Sequence, residues 1–130
     1  MTSRRAFAAL LLLLAAPVWA AEEGEPDILM LFDQFVSAGA AASRCASPTD
    51  YVAVHFLSNF QWVSTYATRE ISRRSPTASN EEVAQELARR SRAVKEETHA
   101  LVQAEGCDSD AVRQLIQRFV VQATWKRAET

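Results

Sequence analysis

The side chains best suited to chemistry in this 130-residue chain are two cysteines, two histidines and one run of aromatic and basic residues. A redox pair needs close spacing or an activating neighbour, and Cys45 and Cys107 have neither. In an exported chain, two cysteines so placed are read as a structural disulfide. Glu96-Glu97-Thr98-His99 holds the Glu-x-x-His spacing of di-iron bundles. Such a site needs a second copy, and Val52, not a carboxylate, stands three residues before the other histidine, His55. His55, Glu96 and His99 form the one three-ligand set of a kind that could hold zinc. Isolated histidines on helix surfaces are the plainer interpretation, so no metal and no cofactor is expected. There is no Cys-x-x-Cys-His for haem attachment. Gly24, Gly39 and Gly106 are the only glycines, which rules out a phosphate-cradling loop or a nucleophile elbow. The chain does not read as an enzyme.

Recognition is better represented. Tyr51, His55, Trp62, Tyr66 and Arg69 recur at helical spacing, rotated about 100° from the apolar face of the same stretch. Either a neighbouring helix covers this stripe or it is a partner surface, since tyrosine, tryptophan and arginine dominate binding hot spots. Trp125 with Val121 is either a second exposed aromatic patch or a contact folded back onto the protein. Arg73 and Arg74 extend the basic end of the stripe and join it as candidates for partner binding.

These residues need a helix to align them, and residues 47–74 supply it. Ser47 is read as the cap, Pro48 sits where a missing N–H costs nothing, and Asp50 faces the positive end of the dipole. Val52, Phe56, Phe60, Val63, Ala67 and Ile71 recur at three- and four-residue steps and make one buried face. Three further helices are expected. The first follows Pro26, with Ile28, Leu31, Phe32, Phe35, Gly39, Ala42 and Cys45 on one side and an almost entirely small half from 37 to 43. Gly39 suggests a tight crossing. The third opens on the capping box Ser79-Asn80-Glu81-Glu82 and closes at Gly106; its charges mark a wet face. The fourth is capped by Asp108 or Ser109 and carries Val112, Leu115, Ile116, Phe119, Val120 and Ala123 inward.

The expected fold is therefore all-α: an antiparallel up-down four-helix bundle with one disulfide, preceded by a cleaved signal peptide. Helices fall at about 27–44, 48–74, 80–105 and 109–127. Residues 1–20 read as the leader: Arg4 and Arg5, an apolar run through five leucines, and small residues before a cut after Ala20. The run is about half the ~20 residues that span a bilayer, so no membrane anchor is expected after cleavage. Arg4-Arg5 also resembles a twin-arginine signal, and the general secretory route is favoured by the strong apolar run. Without the leader, twelve basic residues face sixteen acidic ones, a balance of −4. Nucleic acid rewards clustered positive charge and is not an expected partner.

An up-down-up-down path brings the ends of helices one and three to one pole, where Cys45 and Cys107 meet. The two long helices, about 40 Å against about 28 Å for the others, should then project at the other pole. Arg69, Arg73, Arg74, Glu81, Glu82, Arg89 and Arg90 would form that uncovered tip. The expected function is an exported, non-enzymatic protein-interaction module of the bacterial periplasm, whether periplasmic or secreted. A conditional acid-stress chaperone is the alternative, and a small-ligand or metal-binding bundle the second alternative. Exported single-disulfide bundles include acid-stress chaperones and toxin-neutralising immunity proteins. The chain is similar to these in architecture only.

Overall fold

A computed structural model describes residues 27–127, so the leader and the proposed cut after Ala20 lie outside the described residues. Within them the chain forms four helices: α1 (Ile28–Cys45), α2 (Asp50–Arg74), α3 (Asn80–Glu105) and α4 (Asp110–Thr124). Each starts on a side-chain cap that accepts a first-turn N–H: Asp27 from Leu29, Thr49 from Val52, Ser79 from Glu82 and Ser109 from Val112. The α2 cap corrects the expectation of Ser47. The stretch 47–50 offers two cap residues, and Thr49 is the one three positions before an N–H it can reach. Gly106 closes α3 at φ 82°, a conformation glycine takes at little cost. α4 stops at Thr124, short of the expected 127, and Trp125 leaves it with an extended backbone.

The core is a phenylalanine stack. Phe35 lies 5.4 Å from Phe56 and 6.0 Å from Phe60, Phe32 lies 5.6 Å from Phe60, and Phe56 lies 4.3 Å from Phe119. Three helices are thereby joined through one aromatic cluster, an arrangement worth about 0.5–1.5 kcal/mol per pair beyond simple burial. The small half of α1 is buried on several sides, through Ala38, Ala40, Ala41 and Ala42. At Gly39 the nearest Phe56 ring atom is 3.1 Å from where a Cβ would stand. The tight crossing expected from this glycine is present, and its partner is α2.

Small side chains also let α1 accept three neighbours. α1 and α2 each pack against all the other helices, whereas α3 and α4 flank this central pair and barely meet. A ring in which every helix touches only its two chain neighbours is not the arrangement found. Contacts along the helices alternate in direction: Phe56 meets Phe119 as Trp62 meets Trp125, and Asp27 at the start of α1 lies 3.6 Å from Arg74 at the end of α2. The Cys45–Cys107 disulfide joins the ends of α1 and α3, with Cα atoms 5.4 Å apart and a sequence separation of 62. It ties the α3–α4 turn to the helix on which both α3 and α4 depend.

The opposite pole differs from the expected free tip. Leu29, Ile71 and Val83 are buried there and Ala78 is partly buried, so the start of α1 covers the α2–α3 hairpin. Arg90, expected to be uncovered, reaches α1 and donates two 2.8 Å hydrogen bonds to the Asp33 carboxylate. The overhang survives on one side only. α4 has 15 residues and ends beside Trp62, leaving the last twelve residues of α2, about 18 Å, without a partner on that flank.

Candidate functional site

The uncovered flank of α2 and the start of α1 enclose an open groove of about 810 Å³. Ile28 and Leu31 from α1 line it with Trp62, Tyr66 and Arg69 from α2, and Trp125 stands at the α4 end. Helical spacing brings Trp62 over Tyr66 with ring centroids 4.3 Å apart, and the Arg69 guanidinium sits 5.1 Å from the Tyr66 ring centre. Guanidinium over an aromatic face is a cation–π contact, worth about 0.5–1 kcal/mol at an exposed site. Trp125 meets Trp62 edge-on at 5.5 Å and Phe35 at 6.3 Å. Trp62, Tyr66 and Arg69 of one patch read from the sequence and Trp125 of the other are thus one surface, made by residues far apart in the chain. Tyr66 keeps 40% of its surface exposed and Trp125 keeps 37%, while Trp62 is half-buried.

Asn59 fixes the junction. Its buried side-chain amide donates to the Gln122 carbonyl at 2.7 Å and to the Trp125 carbonyl at 3.0 Å. Those carbonyls belong to the last turn of α4 and the residue after it, which have no partners farther along the helix. α2 therefore caps α4 from the side and sets where Trp125 stands. A second groove of about 490 Å³ lies on the other side of Trp125, between α1 and α4, and also uses Leu31 together with Gln34 and Arg118. Gln122 lines it, and the buried side-chain oxygen of Gln122 finds no hydrogen-bond partner among the described residues.

Charge is arranged unevenly around these aromatics. Glu70 takes two hydrogen bonds from Arg73, at 2.9 and 2.6 Å, and one from Arg74 at 2.8 Å. The Arg73 and Arg74 hydrogen bonds hold its carboxyl down at about 2, well below the usual carboxylate range. Arg74 also faces Asp27. The arginines at the far end of the groove are thereby neutralised by neighbours, whereas Arg69 has no ion-pair partner among the described residues.

The remaining candidates lie elsewhere. Tyr51, 70% exposed, and His55 pair at 4.2 Å near the start of α2, outside both grooves. His55 lies on α2, seven residues before Trp62 and so on the same face, while His99 and Glu96 sit on α3. Among the described residues no group of three His, Cys, Asp or Glu gathers to hold a metal ion. Val121 is 65% exposed and lines only the second groove. No helix among the described residues is long and apolar enough to cross a membrane.

Among the participants not singled out from the sequence are Asn59, Ile28 and Leu31 as groove lining, Glu70 and Arg118 beside the grooves, and Asp33 as the partner of Arg90. Asn59 had a readable signal, being an amide set between Phe56, Phe60 and Val63 at the edge of the apolar face. A buried amide must find partners. Asp33 had none, because its partner lies 57 residues away. Comparison with family models, curated proteins and solved structures found no match to this chain.

Proposed function

We propose that this protein is an exported, non-enzymatic interaction module that presents the Trp62–Tyr66–Arg69 segment and Trp125 to another protein. The observation that carries this reading is the part-exposed aromatic cluster at the place where α4 stops short of α2. Aromatics and arginine at the centre of a surface are the residues that supply most binding energy. A structure that merely needed stability would gain by covering them, at about 25 cal/mol for each Å² of apolar surface removed from water. Export rests on the leader-like residues 1–20, and the disulfide is compatible with an oxidising compartment.

The test separates packing from recognition at one position. Tyr66→Ala is expected to cost about 1 kcal/mol in urea unfolding, because the ring lies at the rim of the core with 40% of its surface exposed and its contacts are to Trp62 and Arg69. The same change is expected to abolish cross-linking to the partner in envelope extracts. A loss of several kcal/mol with cross-linking unchanged would make the stripe part of the core and end this reading.

A further inference from the structure

Of the twelve basic side chains among the described residues, five sit in ion pairs and seven do not. Arg44 ends α1 and Arg92 and Lys95 lie on α3, while the other four gather at one place and point to the chemistry of a partner. Arg73, Arg74, Arg89, Arg90 and Arg113 each sit in an ion pair, with Glu70, Asp27, Glu86, Asp33 or Asp110. Around the Trp62–Trp125 contact the pattern reverses. Arg69 lines the first groove, Arg118 lines the second, and Lys126 and Arg127 follow Trp125 directly. None of these four is ion-paired among the described residues; Arg127 reaches only the Ser58 hydroxyl, at 3.4 Å. Four uncompensated cations thus surround one aromatic cluster in a chain whose net charge is −2. Within the described residues acidic charge gathers instead on α3 and its flanking turn, where residues 80–109 carry seven acidic against four basic side chains.

We propose that the Trp62–Trp125 face docks an acidic peptide segment that inserts an aromatic or large apolar side chain into the groove over Ile28 and Leu31. The reading rests on the interaction-module proposal and gives that module's partner a chemistry. Shape and charge select it together. The groove accepts an apolar group between Trp62, Tyr66 and the start of α1, and carboxylates on either side of that group meet Arg69 and the Arg118–Arg127 side. Arg69 already lies against Tyr66, so its planar fork is oriented before a carboxylate arrives, and less side-chain freedom is lost on binding. A nucleic-acid strand fits less well. Its phosphates recur along the whole backbone, and the Arg73–Arg74 end of the groove carries Asp27 and Glu70.

The experiment selects displayed random peptides of about twelve residues on the immobilised full-length protein, then measures the consensus peptide by calorimetry. The enriched pool is expected to be net acidic and to carry an aromatic or large apolar residue. Arg69→Gln with Arg118→Gln, both exposed and outside the core, is expected to weaken the consensus peptide at least tenfold, with the fold checked by circular dichroism. Raising salt from low to physiological should weaken it in the same sense. Neutral or basic peptides that bind the wild type and are lost in Tyr66→Ala would overturn the acidic partner while leaving the interaction module standing. No enrichment on wild type over the Tyr66→Ala protein would overturn both. Oligothymidine displacing the peptide and binding more tightly would replace it with a nucleic-acid partner.

Discussion

The two flanking helices, α3 and α4, solve the same problem in opposite ways. α3 has 26 residues and packs chiefly along α1, yet only Val83 and Thr98 are buried in it. α4 has 15 residues and buries Val112, Phe119, Gln122 and Ala123. The first is a long, lightly held cover whose position is fixed by a few anchors, among them the Asp33–Arg90 pair and the disulfide at its end. The second is short and deeply inserted, and its end is capped by Asn59. The short one leaves a groove lined with aromatic residues. Where this bundle leaves aromatic surface exposed is thus decided by where α4, its shortest helix, stops.

The contrast can be broken most severely at the disulfide, which ties both flanks to α1. Cys45→Ser with Cys107→Ser is expected to cost roughly 4 kcal/mol in denaturant unfolding, from the loop the bond closes. A loss under 1 kcal/mol would mean that packing alone sets the α3–α4 turn. Asn59→Ala strikes one flank only. It strands two carbonyls and should cost about 2 kcal/mol, with a shift in tryptophan fluorescence as Trp125 loses its anchor while α3 keeps its amide protection. Gly39→Ala probes the central pair. Overpacking against Phe56 costs about 1–3 kcal/mol, and alanine regains about 1 kcal/mol of helix preference, so a net loss of about 1 kcal/mol is expected. Phe56 cannot easily yield, being held among Phe35, Phe60 and Phe119.

The smallest effect lies at the open end of α2. The Glu70 carboxyl is lowered in the folded protein to about 2, so folding favours its charged form. Its contribution is fully present above the ordinary carboxylate value of about 4.5 and fades as pH falls toward 2. Glu70→Gln should therefore match wild type near pH 2 and fall below it near neutrality, read as the difference between two melting curves. A wild-type protein that loosened cooperatively near pH 4, with apolar dye binding, would instead favour the acid-stress chaperone alternative.

Much of this architecture is local and therefore legible in the chain. Ser79 is legible as a cap and Ser109 as one of two candidates, whereas Ser47 is the wrong choice at α2, where Thr49 caps, and Asp27 at α1 goes unread. α3 was readable to the residue because Ser79 and Gly106 punctuate both ends. α4 was misjudged at its end because Trp125-Lys126-Arg127 carries no glycine or proline, and only the Asn59 contacts show where the helix is capped. The meeting of Cys45 with Cys107 was also within reach, since it depends on the parity of chain reversals and not on side-chain detail. Tertiary packing decided what remained: that α1 sits among three helices, that α3 and α4 stand apart, and that Arg90 is drawn onto Asp33. It also joined Trp62 to Trp125 into one half-exposed surface. Spacing along a helix fixes which residues share a face. Whether another helix arrives to cover that face depends on lengths and close approaches summed over the whole molecule, and no local stretch records that sum.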